Sequence, residues 1–234
     1  MIYIYIYIMK NNSDFFDKCF EKHSFTELNN LDYNILNFAI QYFKKQNKNA
    51  SPVFFDVGCN AGSFIKVLSN NNFYKNIHCF EPHPRLSNVV IEKYPHIIMN
   101  KICLTDYIGN ININIPLWSV GLSSIINRPV FERLKTEGQD ITVLNVNTNS
   151  IDNYCNEKSI NNIDFIKIDV EGAEKIVFDG AKTMLENNKI KMGIFEIGET
   201  LKDANTSENE ICTMLENYNY KIYKEIPNNY LFYL

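Results

Sequence analysis

The chain has 234 residues, with 23 Lys and Arg against 27 Asp and Glu, for a net charge of −4. That length suits one large domain or two small ones, and the acidic balance lacks the basic field on which non-specific nucleic-acid binding relies. Hydrophobic residues at 45% and charged residues at 21% exclude disorder as the main state.

Composition is biased in one respect: 34 Asn and 31 Ile stand against 6 Ala. The Asn residues are scattered in twos and threes, whereas an aggregation-prone tract would be local. AT-rich codons give this bias, so it reports nucleotide composition and not chemistry.

Met1 to Ile8 alternates Ile and Tyr. The run is too short to span a membrane, lacks the basic start and cleavage site of a secretory signal, and has the period of an edge strand. A TA dinucleotide repeat in frame also spells it, so translation is expected to start at Met9. Mass spectrometry should find a natural N-terminus at Met9; an intact Met1 to Ile8, an exposed aggregation hazard if made, would overturn this.

Residues 9–50 carry two amphipathic stripes, Phe15, Phe16, Cys19 and Phe20, then Leu31, Ile35, Phe38, Ala39, Tyr42 and Phe43, each read as a helix. From residue 51 the period changes. Val53 to Val57 is the apolar run of a parallel strand buried on both faces. Further runs follow at Ile77 to Phe80, Ile97 to Leu104, Phe165 to Ile168 and Gly193 to Phe195, with helical patterns at 63–70, 84–94, 174–187 and 207–218. Such alternation predicts one α/β domain over 51–234, its sheet covered by helices on both faces. The tail from Tyr220 to Leu234 reads as two strands joined at Pro227-Asn228-Asn229, a hairpin that adds an antiparallel edge strand. The segment 107–162 breaks the rhythm, with strand patterns at Asn110 to Ile115 and Ile141 to Val146, and is expected to be an insertion at the sheet edge that serves acceptor binding.

Every proposed strand of the α/β series ends in an acid: Asp56, Glu81, Asp106, Asp169 with Glu171, and Glu196. Ligands in such sheets bind beyond the carboxyl ends of the strands. The first turn, Asp56-Val57-Gly58-Cys59-Asn60-Ala61-Gly62, carries Asn60 where a dinucleotide fingerprint needs its second glycine, which disfavours a pyrophosphate. Asp56 repels phosphate and attracts a cation. Glu81, 23 residues beyond Gly58, is placed to accept hydrogen bonds from a ribose. The pattern asks for a nucleoside that is cationic and free of phosphate, which S-adenosylmethionine satisfies.

These motifs resemble those of class I S-adenosylmethionine-dependent methyltransferases, and within them the FkbM-like family. The resemblance rests on the first turn, on Phe80-Glu81-Pro82-His83-Pro84, on Leu104-Thr105-Asp106, on Gly121-Leu122-Ser123-Ser124, and most firmly on Ile163-Asp164-Phe165-Ile166-Lys167-Ile168-Asp169-Val170-Glu171-Gly172-Ala173-Glu174. It implies a Rossmann-like fold with a mostly parallel seven-stranded sheet. It also implies that Gly58, Asn60 and Gly62 hold the methionine part through backbone contacts, that Glu81 with Pro82 binds the ribose, that Thr105 and Asp106 lie beside the adenine, and that Asp169 sits near the sulfonium. The implied acceptor is a hydroxyl of a glycan or small molecule. Cys59 departs from the family's usual Ala.

Asp169, Glu171 and Glu196 are the candidate bases. Asp169 and Glu171 could share a divalent cation, although no metal ligand set is assigned, and Glu171 could equally cap the following helix. Glu174 belongs to the first helical turn, where it serves the dipole, and His83 reads as a turn residue. The six cysteines, Cys19, Cys59, Cys79, Cys103, Cys155 and Cys212, form no C-x-x-C pair and read as structural thiols in a reducing, cytoplasmic compartment. The competing readings are a non-catalytic protein that keeps the cofactor fold and, against Asn60 and Asp56, an NAD-type oxidoreductase. Neither nucleic acid nor membrane is an expected partner, and the oligomeric state is not encoded in any motif.

Overall fold

A computed structural model describes residues 51–116, 120–138, 140–226 and 228–234. The two helices expected before residue 50 and the Ile/Tyr run lie outside the described residues. Five parallel strands, β1 (Phe54–Val57), β2 (Ile77–Phe80), β3 (Ile98–Asn100), β7 (Phe165–Ile168) and β8 (Met192–Glu196), join β9 (Lys221–Ile226) and β10 (Asn229–Tyr233) in a seven-stranded sheet of order β3-β2-β1-β7-β8-β10-β9. Strand β10 runs antiparallel to both β8 and β9, so the C-terminal hairpin closes the sheet, with its last strand tucked between β8 and β9. This is the α/β architecture expected from the sequence, and the order reverses between β1 and β7, where such sheets open a crevice.

Adjacent residues of each central strand feed opposite layers, as the two-residue period of a strand requires. Phe55, Ile166, Phe195 and Phe232 enter one buried cluster with Val177, Phe178 and Leu215. Their neighbours Phe54, Phe165, Ile194 and Leu231 enter the other, with Phe64, Ile65 and Leu68. Helix α1 (Ser63–Asn70) supplies Phe64, Ile65, Val67 and Leu68 as a single stripe. Helices α2 (Pro84–Lys93), α5 (Glu174–Asp179), α6 (Lys182–Glu186) and α7 (Glu199–Asp203) follow strands in turn. Helix α8 (Glu208–Asn217) starts on a capping box in which Ser207 and Glu210 satisfy each other's backbone N–H groups. Among the described residues no helix is long and apolar enough to cross a membrane.

Two expectations need correction. The run from Ile97 to Leu104 is not one strand: β3 ends at Asn100, and β4 (Cys103–Leu104) pairs instead with β6 (Ile141–Asn149). The insertion expected over 107–162 pairs with β4 and within itself. It builds a second sheet, β4-β6-β5, in which β5 (Gly109–Pro116) and β6 pair antiparallel from Gly109 opposite Thr148 to Pro116 opposite Ile141. Helix α3 (Pro129–Thr136) lies between these strands in sequence and α4 (Ile151–Glu157) leads back toward β7. The alternation of Ile and Asn has a physical use here, since Ile113 and Ile115 are buried with Val146 while the amide of Asn110 bonds to that of Asn147 on the other face. The helix expected over 174–187 is broken between α5 and α6, where the Gly180 carbonyl accepts the Asp152 N–H at 2.9 Å.

Strand β8 passes its neighbours so closely that a Cβ on Gly193 would lie 2.5 Å from both Cγ2 and the carbonyl oxygen of Ile166, and 2.6 Å from the Phe232 ring. Gly193→Ala should therefore cost about 1–3 kcal/mol, the usual range for overpacking. Urea denaturation with an unchanged midpoint would contradict this packing.

Candidate active site

The turn after β1 is shaped by a contact with the turn after β7. Gly58 has φ +76°, and a Cβ there would sit 1.9 Å from the Asp169 carbonyl oxygen. Only glycine allows both the left-handed backbone and this approach. Asn60 follows, also left-handed at φ 45°. The N–H groups of Gly58 and Cys59 donate to the Phe80 carbonyl at 3.0 and 3.2 Å, and that of Gly62 donates to the Cys59 carbonyl at 2.8 Å. The first two tie the turn to the end of β2, and only the third closes the turn upon itself. Gly58 and Asn60 border the cavity described below, while Gly62 caps α1 and does not line it.

Glu81 joins this turn to the one after β2. Its Oε2 accepts the Asn60 N–H and its Oε1 the His83 N–H, both at 2.9 Å. The side chain is 6% exposed. Burial pushes its pKa up to about 6, against the two N–H donors, with the Asp56 charge adding to the rise. Each oxygen keeps a lone pair for a further donor. His83 caps α2, its Nδ1 accepting the N–H groups of Arg85 and Leu86, so it is the turn residue expected from the sequence.

A cavity of about 850 Å³, its open mouth included, lies beyond these strand ends. Its lining combines Phe80, Pro82, Leu86, Ile102 and Leu104 with the carboxylates of Glu81, Asp169, Glu171 and Glu196. Gly121, Ser123 and Ser124 of the insertion also border it. Asp56 is buried behind the turn and absent from the lining. Thr105 and Asp106 are not brought to the cavity: the Thr105 hydroxyl donates to the Tyr107 carbonyl at 2.8 Å, and Asp106 is exposed.

Asp169, Glu171 and Glu196 each place a carboxylate oxygen within 4.8 Å of the others. Lys167, which the sequence reading left without a role, organises them. Its Nζ lies 2.9 Å from Asp169 Oδ2 and 3.9 Å from Asp56 Oδ1. Burial lowers the pKa of this lysine, but Asp169 and Asp56 more than reverse that and hold it cationic. Burial likewise opposes ionisation of Asp169, and the Lys167 charge and hydrogen bonds from Lys167 and Glu196 outweigh it, so its pKa falls below the usual range. Glu196 moves the opposite way, raised by burial and then by the charges of Asp169 and Glu171. The two acids are thus pushed apart, Asp169 toward the carboxylate and Glu196 toward the protonated form.

Glu171, at φ 56°, does not cap the next helix. Its Oε2 meets Arg128 Nη1 at 3.1 Å, while Arg128 Nε reaches Asp203 at 3.2 Å and Ser124 Oγ donates to the Glu171 carbonyl at 2.8 Å. The turn is closed instead by Glu174, whose Oε1 accepts the N–H groups of Val170 at 3.0 Å and Gly172 at 3.3 Å. Lys167 had a signal in the sequence, a cation inside a buried strand run. Arg128, next to Pro129 in an irregular stretch, had none.

A doubly wound α/β domain with an acid-lined crevice at the strand-order reversal belongs to the class of nucleoside-cofactor-binding folds. The chain matches the Methyltransferase FkbM domain over residues 56–222 and belongs to that family. It is 28% identical to the 2-O-methyltransferase NoeI of Sinorhizobium fredii (strain NBRC 101917 / NGR234) over 152 residues, 59% of this chain and 60% of that protein, so it spans less than two thirds of that relative. Similar solved structures include the N-methyltransferase NodS from Bradyrhizobium japonicum WM9, with TM-score 0.46, 8% identity and coverage of 87% of this chain and 95% of that one. An S-adenosylmethionine-dependent methyltransferase from Clostridium acetobutylicum ATCC 824 has TM-score 0.45, 12% identity and coverage of 94% and 98%.

Burial pushes Glu174 from an ordinary 4.5 up to about 7, despite its N–H donors. A carboxyl raised on folding stabilises the native state while protonated, and that contribution fades as pH rises from 4.5 through 7. Glu174→Gln should therefore flatten the fall in stability over that interval, read as the urea midpoint against pH. An unchanged profile would contradict the burial of this acid.

Proposed function

We propose that this chain is an S-adenosylmethionine-dependent methyltransferase that acts on a hydroxyl of a glycan or small molecule. The observation that carries the reading is Asp169, held by Lys167 at 2.9 Å and clustered with Glu196, in the cavity that also presents Glu81. The lining fits the cofactor: carboxylates suit a sulfonium, apolar side chains suit an adenine, and Glu81 keeps acceptor capacity for ribose hydroxyls. When bound, that cofactor supplies a methyl group on a cationic sulfur. Asp56, Gly58, Asn60, Gly62 and Pro82 complete the proposed cofactor set, with Asp56 and Gly62 acting from behind the lining, whereas Thr105 and Asp106 fall outside it.

Asp169 accepts a hydrogen bond from the acceptor hydroxyl and turns an oxygen lone pair toward the reacting carbon. Orientation of this kind supplies much of the acceleration in a two-reactant displacement. As the oxygen bonds to carbon its proton becomes acidic, so a carboxylate of low pKa suffices to receive it. Glu196, protonated, donates to Asp169 and keeps the pair at a single negative charge. Glu171 orients the turn through Arg128, and Ser123 and Ser124 face the acceptor. The name of the relative from Sinorhizobium fredii supports oxygen as the methylated atom.

Titration calorimetry with S-adenosylhomocysteine, followed by radiolabelled transfer to glycans and small alcohols, tests the reading. Glu81→Ala should weaken cofactor binding, and an unchanged affinity would remove Glu81 from the ribose site. Asp169→Asn should lower kcat by about 10²–10⁴-fold, the usual share of a general base, and change cofactor affinity far less. Absence of any cofactor binding would reject the proposal, and binding without turnover on any hydroxyl would favour a non-catalytic protein of the same fold.

A further inference from the structure

The charge pattern of the cavity limits what can be methylated in it. Four carboxyl groups face it, from Glu81, Asp169, Glu171 and Glu196, and among the described residues no Lys, Arg or His lines it. The cations that balance the acids stand behind the wall. Lys167 meets Asp169 Oδ2 at 2.9 Å and Arg128 meets Glu171 Oε2 at 3.1 Å, and neither cation belongs to the lining. Each ion pair uses one carboxylate oxygen and leaves the other as a hydrogen-bond acceptor. Both acids remain accessible, with 38% of the Asp169 side chain and 17% of the Glu171 side chain exposed. An oxygen of one lies within 4.8 Å of an oxygen of the other. The wall beside the reacting position therefore accepts hydrogen bonds and repels anions.

We propose that the acceptor is an uncharged polyol whose reacting hydroxyl has a second hydroxyl on the neighbouring carbon, and that acceptors with a phosphate, sulfate or carboxylate beside that position are excluded. This inference rests on the methyltransferase reading above and narrows its acceptor. Neighbouring hydroxyls of a sugar ring lie about one hydrogen-bond length apart, so one donates to Asp169 while the other donates to Glu171. In the transfer the reacting oxygen bonds to the methyl carbon, the carbon–sulfur bond breaks with its electron pair left on sulfur, and the hydroxyl proton passes to Asp169. The neighbouring hydroxyl keeps its proton. A fully ionised phosphate or carboxylate brings only acceptor oxygens, and it would meet Asp169 and Glu171 before it could reach Lys167 or Arg128. An ammonium is not called for, because each of these two acids already has its cation. The cavity of about 850 Å³, mouth included, is shared with the cofactor, so a group beside the reacting hydroxyl cannot stand clear of the acids.

The test is the initial rate of transfer from radiolabelled S-adenosylmethionine, catalysed by the full chain, to sets of methyl glycosides. Each set holds a neutral sugar, its monodeoxy forms, and its phosphate and uronate forms. Neutral members should be methylated, and fragmentation of the product in a mass spectrometer should place the methyl beside a free hydroxyl. Removing the hydroxyl next to the reacting one should lower kcat/KM roughly ten- to a hundredfold, the share of a hydrogen bond to a charged group. A phosphate or carboxylate beside the reacting position should lower it by more than about a hundredfold. Glu171→Gln should narrow the gap between neutral and anionic members by at least about tenfold, with S-adenosylhomocysteine binding by calorimetry as the check on folding. If that variant does not fold, the series on the unaltered chain decides alone. Equal rates on neutral and anionic members, full activity on a lone hydroxyl, or an unchanged gap in folded Glu171→Gln would overturn the inference and leave a methyltransferase in place. Cofactor binding with no transfer to any member would remove the underlying reading together with this one.

Discussion

Lys167 stands in the middle of β7 with 18% of its side chain exposed, between a wholly buried aspartate on β1 and the aspartate that ends its own strand. An unpaired ammonium at such depth loses several kcal/mol of hydration. Here the flanking charges reverse that penalty, and the lysine in turn sets the protonation of the site. Asp169 stays ionised because Lys167 faces it. Glu196 is pushed toward its protonated form by burial and then by the charge of Asp169. The polarity of the whole crevice follows from one cation placed in a strand whose other residues, Phe165, Ile166 and Ile168, are core.

That placement depends on backbone geometry a layer below. Gly58 lets the turn after β1 touch the carbonyl of Asp169, and Asp164 ties the start of the same two strands by accepting the Val53 N–H at 2.9 Å. Strands β1 and β7 are therefore held at both ends, and the row Asp56–Lys167 is fixed between them. The long motif around Asp169 is thus part structure and part site. Asp164 and Glu174 hold the backbone, while Asp169 and Glu171 face the cavity.

Much of this was legible in the sequence for a simple reason. Buried parallel strands need continuous apolar runs, and each run is short enough that its terminal acid is conspicuous. The strands, helix α1 and the placement of Glu81, Asp169 and Glu196 at one crevice follow from that. What escaped was whatever depends on contacts between distant segments. Residues 97–104 form two apolar stretches parted only by Asn100 and Lys101, so periodicity alone does not show that the chain leaves one sheet for another there. Thr105 and Asp106 were expected at the cavity because they follow an apparent strand of the main sheet; once β4 pairs with β6, that premise is lost. Glu171 and Glu174 are chemically alike and three residues apart. Only the left-handed backbone at Glu171 decides that Glu174 closes the turn and Glu171 reaches for Arg128.

The second sheet gives the insertion a mechanical part. An extension of the main sheet's edge would leave the insertion beside the crevice; a separate sheet, joined to the strand ends by β4, sits against it. Ser124 grips the Glu171 carbonyl and Arg128 its carboxylate, so two residues of the insertion hold the same residue of the turn after β7. Arg128 also reaches Asp203 in α7, and the guanidinium packs 5.6 Å from the Phe131 ring centre. A displacement of the insertion therefore moves Glu171, one residue beyond Val170 and two beyond Asp169. Under the proposed chemistry, the segment that selects the acceptor and the carboxylate that receives its proton share one set of contacts, and an acceptor that seats poorly against Ser123 and Ser124 disturbs the alignment of Asp169 as well.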